Sequence, residues 1–373
     1  MLGAATPRYA ALSALMLLVA TTCVLLGVWQ IDRLSTKHDT NMTLRRNVHA
    51  ALPVRRARAR RSRRHGARRR KARRRRRYRR RLTTAEASKS SAPPGWPTAT
   101  AGHDTERMPL TRTVGPASVT AVDDGEGPFY LGRRHEAFPQ VSADHWRRAE
   151  ALDPAAVTDD GEWLLRFRCF AVRLAGGTVI LVDAGIGPEG SPASSWTPVP
   201  GRLPAELEAA GIDPADISTV VLTHLHSDHI GWAATGEPYF RNATYVLQRA
   251  EHAALDQFNP ALERLLIEPL QASDQLRLID GDVALDQCVR VVATPGHTPG
   301  HQSVLVESDD TALAITGDLL VHAIQLVDPD LAYANESDPH VARESRVALL
   351  RTLATRPGAA LATAHLGEPF GYL

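Results

Sequence analysis

The chain has little cysteine, methionine or aromatic side chain: 3 Cys, 4 Met and 5% Phe, Trp and Tyr in 373 residues. Cys23, Cys169 and Cys288 are scattered and odd in number, so no disulfide framework is implied and a buried core must carry the fold. No Gly-x-Ser-x-Gly turn presents a serine nucleophile, and no Cys–His pairing stands out, which sets covalent catalysis aside. Acidic residues are scarce in the first 100 positions, which hold 3 Asp and Glu against 25 Lys and Arg. The rest of the chain holds 38 against 19, so the net charge of +3 averages two very different parts. The acidic part, taken alone, does not favour nucleic acid as a substrate. The length suffices for one domain of about 200–260 residues with extra segments. No repeat of fixed period is visible.

What is abundant is metal-binding chemistry in one place. Thr223-His224-Leu225-His226-Ser227-Asp228-His229 holds four donor side chains in a six-residue span and follows an apolar, strand-like run over 217–222. His224 and His226, two apart, project to one side of the extended backbone, and the turn after them swings Asp228 and His229 onto another direction. Three imidazoles and a carboxylate suit Zn²⁺ or a similar ion, and the two directions suggest two ions. A solvated His-rich loop is the bland alternative, and this spacing disfavours it. Further donors end further apolar runs. Thr294-Pro295-Gly296-His297-Thr298-Pro299-Gly300-His301 follows 288–292, Asp318 closes Ala314-Ile315-Thr316-Gly317-Asp318, and His365 follows 360–364. A sheet that assembles a site places its donors at such strand ends.

These residues resemble the metallo-β-lactamase superfamily in its binuclear hydrolase form. The likeness covers about 108–373 and rests on Leu181-Val182-Asp183-Ala184-Gly185, the His-x-His-x-Asp-His block, His297, Asp318 and His365, in that order. The resemblance implies an α/β fold, an αββα sandwich of two packed mixed sheets with helices outside. It implies His224, His226 and His297 on a first zinc, Asp228, His229 and His365 on a second, and Asp318 bridging them. Asp183 would orient ligands from behind, and His301 would be structural rather than a ligand. Two such cations lower the pKa of a shared water towards neutrality and so supply a hydroxide, with Asp228 as the carboxylate that shuttles its proton. The reaction expected is hydrolysis of a lactone or ester-like small molecule. The alternatives are a glyoxalase II-like thioester, for which Arg343, Arg346 and Arg351 would have to bind a glutathione carboxylate, and a phosphotriester.

The stretch Gly317-Asp318-Leu319-Leu320-Val321-His322, with Gln325 and Asp328-Pro329-Asp330 after it, is similar to the branch of quorum-quenching lactonases and methyl parathion hydrolase-like enzymes. Lactonases of that branch carry a Tyr three residues after the bridging Asp. Val321 stands there in this chain, and His322 is the candidate substitute donor to the leaving oxygen. Trp196, in a Pro- and Gly-rich loop after Asp183, is a candidate pocket wall, as are Phe129 and Trp232.

The N-terminal part reads differently. Residues 10–29 form an uncharged apolar run long enough to cross a bilayer, read as a membrane anchor. Leu26-Gly27-Val28-Trp29-Gln30-Ile31-Asp32-Arg33 resembles the first membrane helix of the Surfeit-locus cytochrome oxidase assembly family over about residues 9–50. Residues 55–81 carry 19 Lys and Arg in 27 positions, too self-repelling to fold, and would bind RNA, DNA or anionic lipid. This gives a non-enzymatic alternative, a membrane-tethered nucleic-acid or lipid binder. A gene fusion or a reading-frame artefact explains the same succession, with Met108 as an alternative start for a soluble cytoplasmic protein. The excess of Lys and Arg after the apolar run puts the catalytic part in the cytoplasm. The expected organisation is a transmembrane segment in 1–50, an Arg-rich disordered segment and linker in 51–107, and a hydrolase domain in 108–373. A flexible linker is expected over 83–116, strands at 163–173, 178–182 and 243–247, and helices at 203–210 and 340–353.

Overall fold

The computed structural model describes residues 109–129, 132–309 and 311–372, and the expected anchor, Arg-rich segment and most of the linker lie outside them. No helix among the described residues is long and apolar enough to cross a membrane.

Among the described residues, thirteen strands form two mixed sheets. The first runs in chain order: β1 (Thr111–Val114), β2 (Ala117–Pro128), β3 (Leu164–Arg173), β4 (Val179–Val182), β5 (Ile217–Val221), β6 (Thr244–Gln248) and β7 (Leu276–Ile279). Its first four strands pair antiparallel and the last four, β4 to β7, pair parallel. The second sheet has the order β13-β12-β11-β10-β9-β8. Its strands are β8 (Val283–Ala284), β9 (Val289–Ala293), β10 (Gln302–Glu307), β11 (Ala312–Ile315), β12 (Ala360–Ala362) and β13 (Phe370–Tyr372), with β11 and β12 parallel.

Alternation along each strand explains the layering. In β4 and β6, Ile180, Val182 and Val246 face the second sheet, where Val291, Val304, Val306, Leu313, Ile315 and Ala362 meet them. Val179, Leu181, Tyr245 and Leu247 point the other way, onto Leu203 and Leu207 of α3 (Leu203–Ala209) and the chain around Ile230 and Phe240. Leu305, Ala314 and Leu361 form the outer face of the second sheet, under Leu349 and Leu353 of α8 (Pro339–Leu353). With both faces covered, the strands read as continuous apolar runs. The result is helix, sheet, sheet, helix. Between α3 and α8 lie α4 (Arg249–Ala253), α5 (Leu255–Phe258), α6 (Glu268–Ala272) and α7 (Ile324–Val327); α1 (Arg134–Ala137) and α2 (Ala143–Leu152) precede β3.

One expectation needs correction. The linker read over 83–116 ends inside the domain, because Thr111–Val114 is an edge strand paired with β2. Its polar, half-exposed alternation mimics a linker.

Two buried acids brace the loops of the site end. The Asp124 carboxylate accepts backbone N–H bonds from Ile186 (2.5 Å), Gly187 (3.4 Å) and Leu203 (2.6 Å), and one from Trp232 Nε1 at 3.1 Å. A Cβ on Gly185 or Gly201 would lie 2.0 or 2.1 Å from that carboxylate, so the loop closes only around glycine there. Asp153 accepts from Gly367 N at 2.9 Å and leaves Oδ1 buried without a partner. Burial raises its pKa to about 6. The folded state therefore keeps this proton where the unfolded chain has lost it, and stability falls as pH rises from about 4 to about 6. Asp153→Asn is expected to raise Tm by a few degrees at pH 8 and to give no gain at pH 4, which thermal melts at the two pH values will read.

Candidate metal centre

Each donor sits just past the C-terminal end of a strand. Asp183 follows β4 and takes a left-handed backbone, φ 64°, unusual for a side chain other than glycine. The stretch 224–229 follows β5, His297 lies in the turn between β9 and β10, Asp318 follows β11, and His365 follows β12. Gly317 turns the chain at φ 50°, where a Cβ would meet His301 and Thr223 at 2.8 Å.

The donors fall into two groups. Atoms of His224, His226, His297 and Asp318 all lie within 4.8 Å of one another, and so do atoms of Asp228, His229 and His365. His226 Nδ1 faces His224 Nε2 at 2.9 Å and His297 Nε2 at 3.0 Å. His229 Nε2 faces His365 Nε2 at 3.2 Å. The carboxylate of Asp318 is shared between the groups. Its Oδ2 is 3.1 Å from His297 Nε2 and 3.8 Å from His224 Nε2, while Oδ1 is 3.1 Å from His229 Nε2 and 3.0 Å from His365 Nε2. Asp228 Oδ2 lies 3.5 Å from both His229 and His365 Nε2.

On three of the rings, those of His224, His229 and His365, the opposite nitrogen is already occupied. His229 Nδ1 donates to Asp183 Oδ2 (2.8 Å), and His365 Nδ1 donates to the Arg166 carbonyl (2.7 Å). Thr223 Oγ1 gives its proton to Asp183 Oδ2 (3.0 Å) and so accepts from His224 Nδ1 (3.0 Å). These partners leave a lone pair on each inward Nε2. Facing lone pairs about 3 Å apart repel unless a cation lies between them, and nitrogens around a tetrahedral zinc are about 3.3 Å apart. The residues therefore fit a pair of divalent metal ions.

Protonation divides the cluster when no metal is bound. Burial, with the neighbouring imidazoles, holds His224 well below the usual histidine range and His226 at about 3, so both are neutral, the form a metal ion requires. Burial opposes charge on His229 and His365 too, but the carboxylates of Asp318 and Asp228 prevail and raise both. Burial would also neutralise Asp318, yet the imidazoles of His365, His229 and His297 hold it well below the carboxylate range. The site is built for charge.

His301 stands behind this cluster. Its Nε2 accepts from the Asp318 backbone N–H at 3.0 Å and its Nδ1 donates to the Thr294 carbonyl at 3.1 Å, so both nitrogens are engaged. Trp196 lines the cavity beside the cluster and donates from Nε1 to Ser227 Oγ at 2.9 Å. His322 does not line it, which corrects the expectation of a pocket donor. It lies among Phe138, Trp146 and Trp163, with ring centroids 5.7, 5.4 and 4.8 Å away, and its Nδ1 accepts from Ile324 N. Burial in that cage, with Arg134 near, lowers its pKa to about 3. Trp232 is turned away as well, onto Asp124 and Tyr239.

The cavity holds about 310 Å³. Phe129, Trp163, Leu165, Trp196, Val321 and Phe258 supply apolar wall, while Tyr333 and Asn335 add polar groups over the cluster. Sequence reading singled out neither Tyr333 nor Asn335, since both lie in an irregular loop without periodicity. Asn335 Nδ2 donates to the Tyr333 hydroxyl oxygen at 2.9 Å, and the Tyr333 ring stacks on His297 at 6.0 Å.

Two packed sheets with outer helices and a His/Asp cluster at their strand ends define a metal-dependent hydrolase. Its sequence places the chain in the Metallo-beta-lactamase superfamily, whose pattern matches residues 168–365; the chain belongs to that family. An N-acyl homoserine lactonase of Bacillus sp is 31% identical over 180 residues, 44% of this chain and 66% of that protein. One from Bacillus cereus is 32% identical over 114 residues, 31% and 42% of the two chains. The chain thus spans less than two thirds of either relative. Among solved structures, the hydrolase AbOPH of the beta lactamase superfamily aligns with a TM-score of 0.58 at 24% identity, over 71% of this chain and 96% of that one. AidC, a dizinc quorum-quenching lactonase in complex with a product, aligns with a TM-score of 0.57 at 22% identity, over the same 71% and 96%. At these identities the structural likeness is one of fold.

Proposed function

We propose that this chain is a two-zinc hydrolase that opens a lactone or a similar small ester. The observation that carries this reading is the division of the donors into two groups with one oxygen of Asp318 turned to each. His224, His226 and His297 would hold one ion, Asp228, His229 and His365 the other, and Asp318 both. Two ions so held would supply a water of lowered pKa and a Lewis acid for the scissile carbonyl.

The chain's own groups do the rest. Asp228 lines the cavity with Oδ2 turned to His229 and His365, which leaves its other oxygen to take the water's proton and pass it to the leaving oxygen. Tyr333 would donate its phenolic hydrogen to the substrate carbonyl oxygen. Asn335 already occupies a lone pair of that hydroxyl, which aims the O–H elsewhere. Burial, with Asp318 and other carboxylates near, raises the Tyr333 pKa, so the group stays a donor at any working pH. The aromatic walls exclude water and suit an acyl or aryl group.

The thioester reading loses its basic patch. Arg346 is buried against Glu336 and Arg343 pairs with Asp330 at 2.8 Å, and no Lys or Arg occurs among the described residues lining the cavity. That neutral, aromatic lining also suits an aryl ester or phosphotriester.

The test is proton release by the zinc-loaded chain on N-hexanoyl homoserine lactone. Turnover absent in His226→Ala and reduced about 100–1000-fold in kcat for Tyr333→Phe is the expected result. Equal turnover in His226→Ala would overturn the site. A wild type that holds two zincs and ignores the lactone would move the substrate to aryl esters and phosphotriesters.

A further inference from the structure

The two loops that deliver the first group of imidazoles come from different sheets. His224 and His226 flank Leu225 after β5 of the first sheet, and His297 precedes Gly300 between β9 and β10 of the second. Beside the imidazoles, the Glu251 side chain spans the gap between them. Glu251, on α4 directly after β6, is 5% exposed; its Oε1 accepts from Leu225 N at 3.0 Å and its Oε2 from Gly300 N at 2.8 Å. The fit is close, since a Cβ on Gly300 would lie 2.2 Å from the Glu251 backbone nitrogen.

We propose that Glu251 is the positioning residue of this centre, a carboxylate clamp that sets the distance between the His224/His226 loop and the His297 loop. This rests on the two-zinc reading above. A buried carboxylate is costly unless N–H donors satisfy it, and one that takes a donor from each loop is satisfied only while both loops are in place. Gln302 ties the same loops nearer the strands, where its N–H donates to the Thr223 carbonyl at 2.9 Å and its Nε2 to the Leu222 carbonyl at 2.8 Å. Glu251 therefore fixes the outer part, next to the imidazoles themselves. Glutamine cannot replace it, because its NH₂ group would face one of the two amide N–H donors.

The test compares wild type with Glu251→Gln in the full chain. Hydrogen exchange of the metal-free proteins reads the loops directly, and chelator competition reads zinc affinity. In the variant, peptides over 223–229 and 296–301 should exchange about tenfold faster while those over α8 are unchanged. Affinity at the first ion should fall about 10–100-fold, the range seen when residues behind metal ligands are changed. Glu251→Asp, which keeps the charge but cannot reach both amides, should behave alike and serves if the glutamine variant is insoluble. Exchange at the wild-type rate in both loops, or faster exchange spread evenly over the domain, would overturn the clamp. So would unchanged zinc affinity alongside loosened loops. A wild type that binds no zinc would defeat the two-zinc reading, and the exchange result would then decide the clamp alone.

Discussion

Asp318→Ala is expected to leave a folded chain that holds less than one zinc and turns over no lactone. Asp318 is 6% exposed, and its two oxygens face four imidazole nitrogens at 3.0–3.8 Å. Removing it takes a donor from both groups at once, and it removes the negative charge that would let two cations sit near each other. Loss of the Asp318 side chain leaves the His301 bond to the residue 318 backbone in place, so the turn keeps its shape. Metal analysis beside activity checks this; two zincs with wild-type kcat would sink the assignment. Asp318→Asn is the informative partner, because it preserves volume while it removes the charge and turns one of the two acceptor oxygens into an NH₂ donor. It should still lose at least one ion.

Arg346→Met is expected to cost about 3–5 kcal/mol, the usual result of stripping one member from a buried ion pair. Arg346 is 0% exposed. Its Nη1 donates to Glu336 Oε1 at 2.8 Å, Nε to the Pro329 carbonyl at 3.0 Å and Nη2 to the Leu331 carbonyl at 2.7 Å. The planar guanidinium thus gathers the loop that carries Tyr333 and Asn335, a fan of donors that lysine cannot reproduce. Burial raises the Glu336 pKa and Arg346 opposes that rise; without the arginine the acid would take up a proton or draw in water. Adding Glu336→Gln should return part of the loss, but the two carbonyls stay unpaired. Urea unfolding measures both variants. A double variant no more stable than the single one would mean that the carbonyls, rather than the charge pair, carry the cost.

Much of this site was legible because its donors follow apolar runs. The runs before His224, His297, Asp318 and His365 became β5, β9, β11 and β12, and the chemistry sits where those strands end. The helices expected at 203–210 and 340–353 came out as α3 and α8 within a residue of each end. What stayed hidden depends on contacts far apart in sequence. Glu251 reads as an ordinary acid on a short helix until Gly300, 49 residues on, donates to it. Arg346 reads as helix surface, and its burial follows only from the loop folded over it. The end of β2, Gly125-Glu126-Gly127-Pro128, looks like a turn by composition, yet it pairs with Phe167, Arg166, Leu165 and Leu164 of β3 past a bulge. His322 failed for a related reason. Adjacent residues on an irregular turn point to different sides, and it is Val321 that lines the cavity.

The donors of each group are drawn from both sheets: His224, His226, Asp228 and His229 from the first, His297, Asp318 and His365 from the second. An ion held by them is then a rivet through the two halves of the sandwich as well as a reagent. Its binding free energy adds to the cohesion of the whole domain in proportion to the logarithm of free metal. Metal supply in the cell would govern how long the chain survives as well as how fast it works.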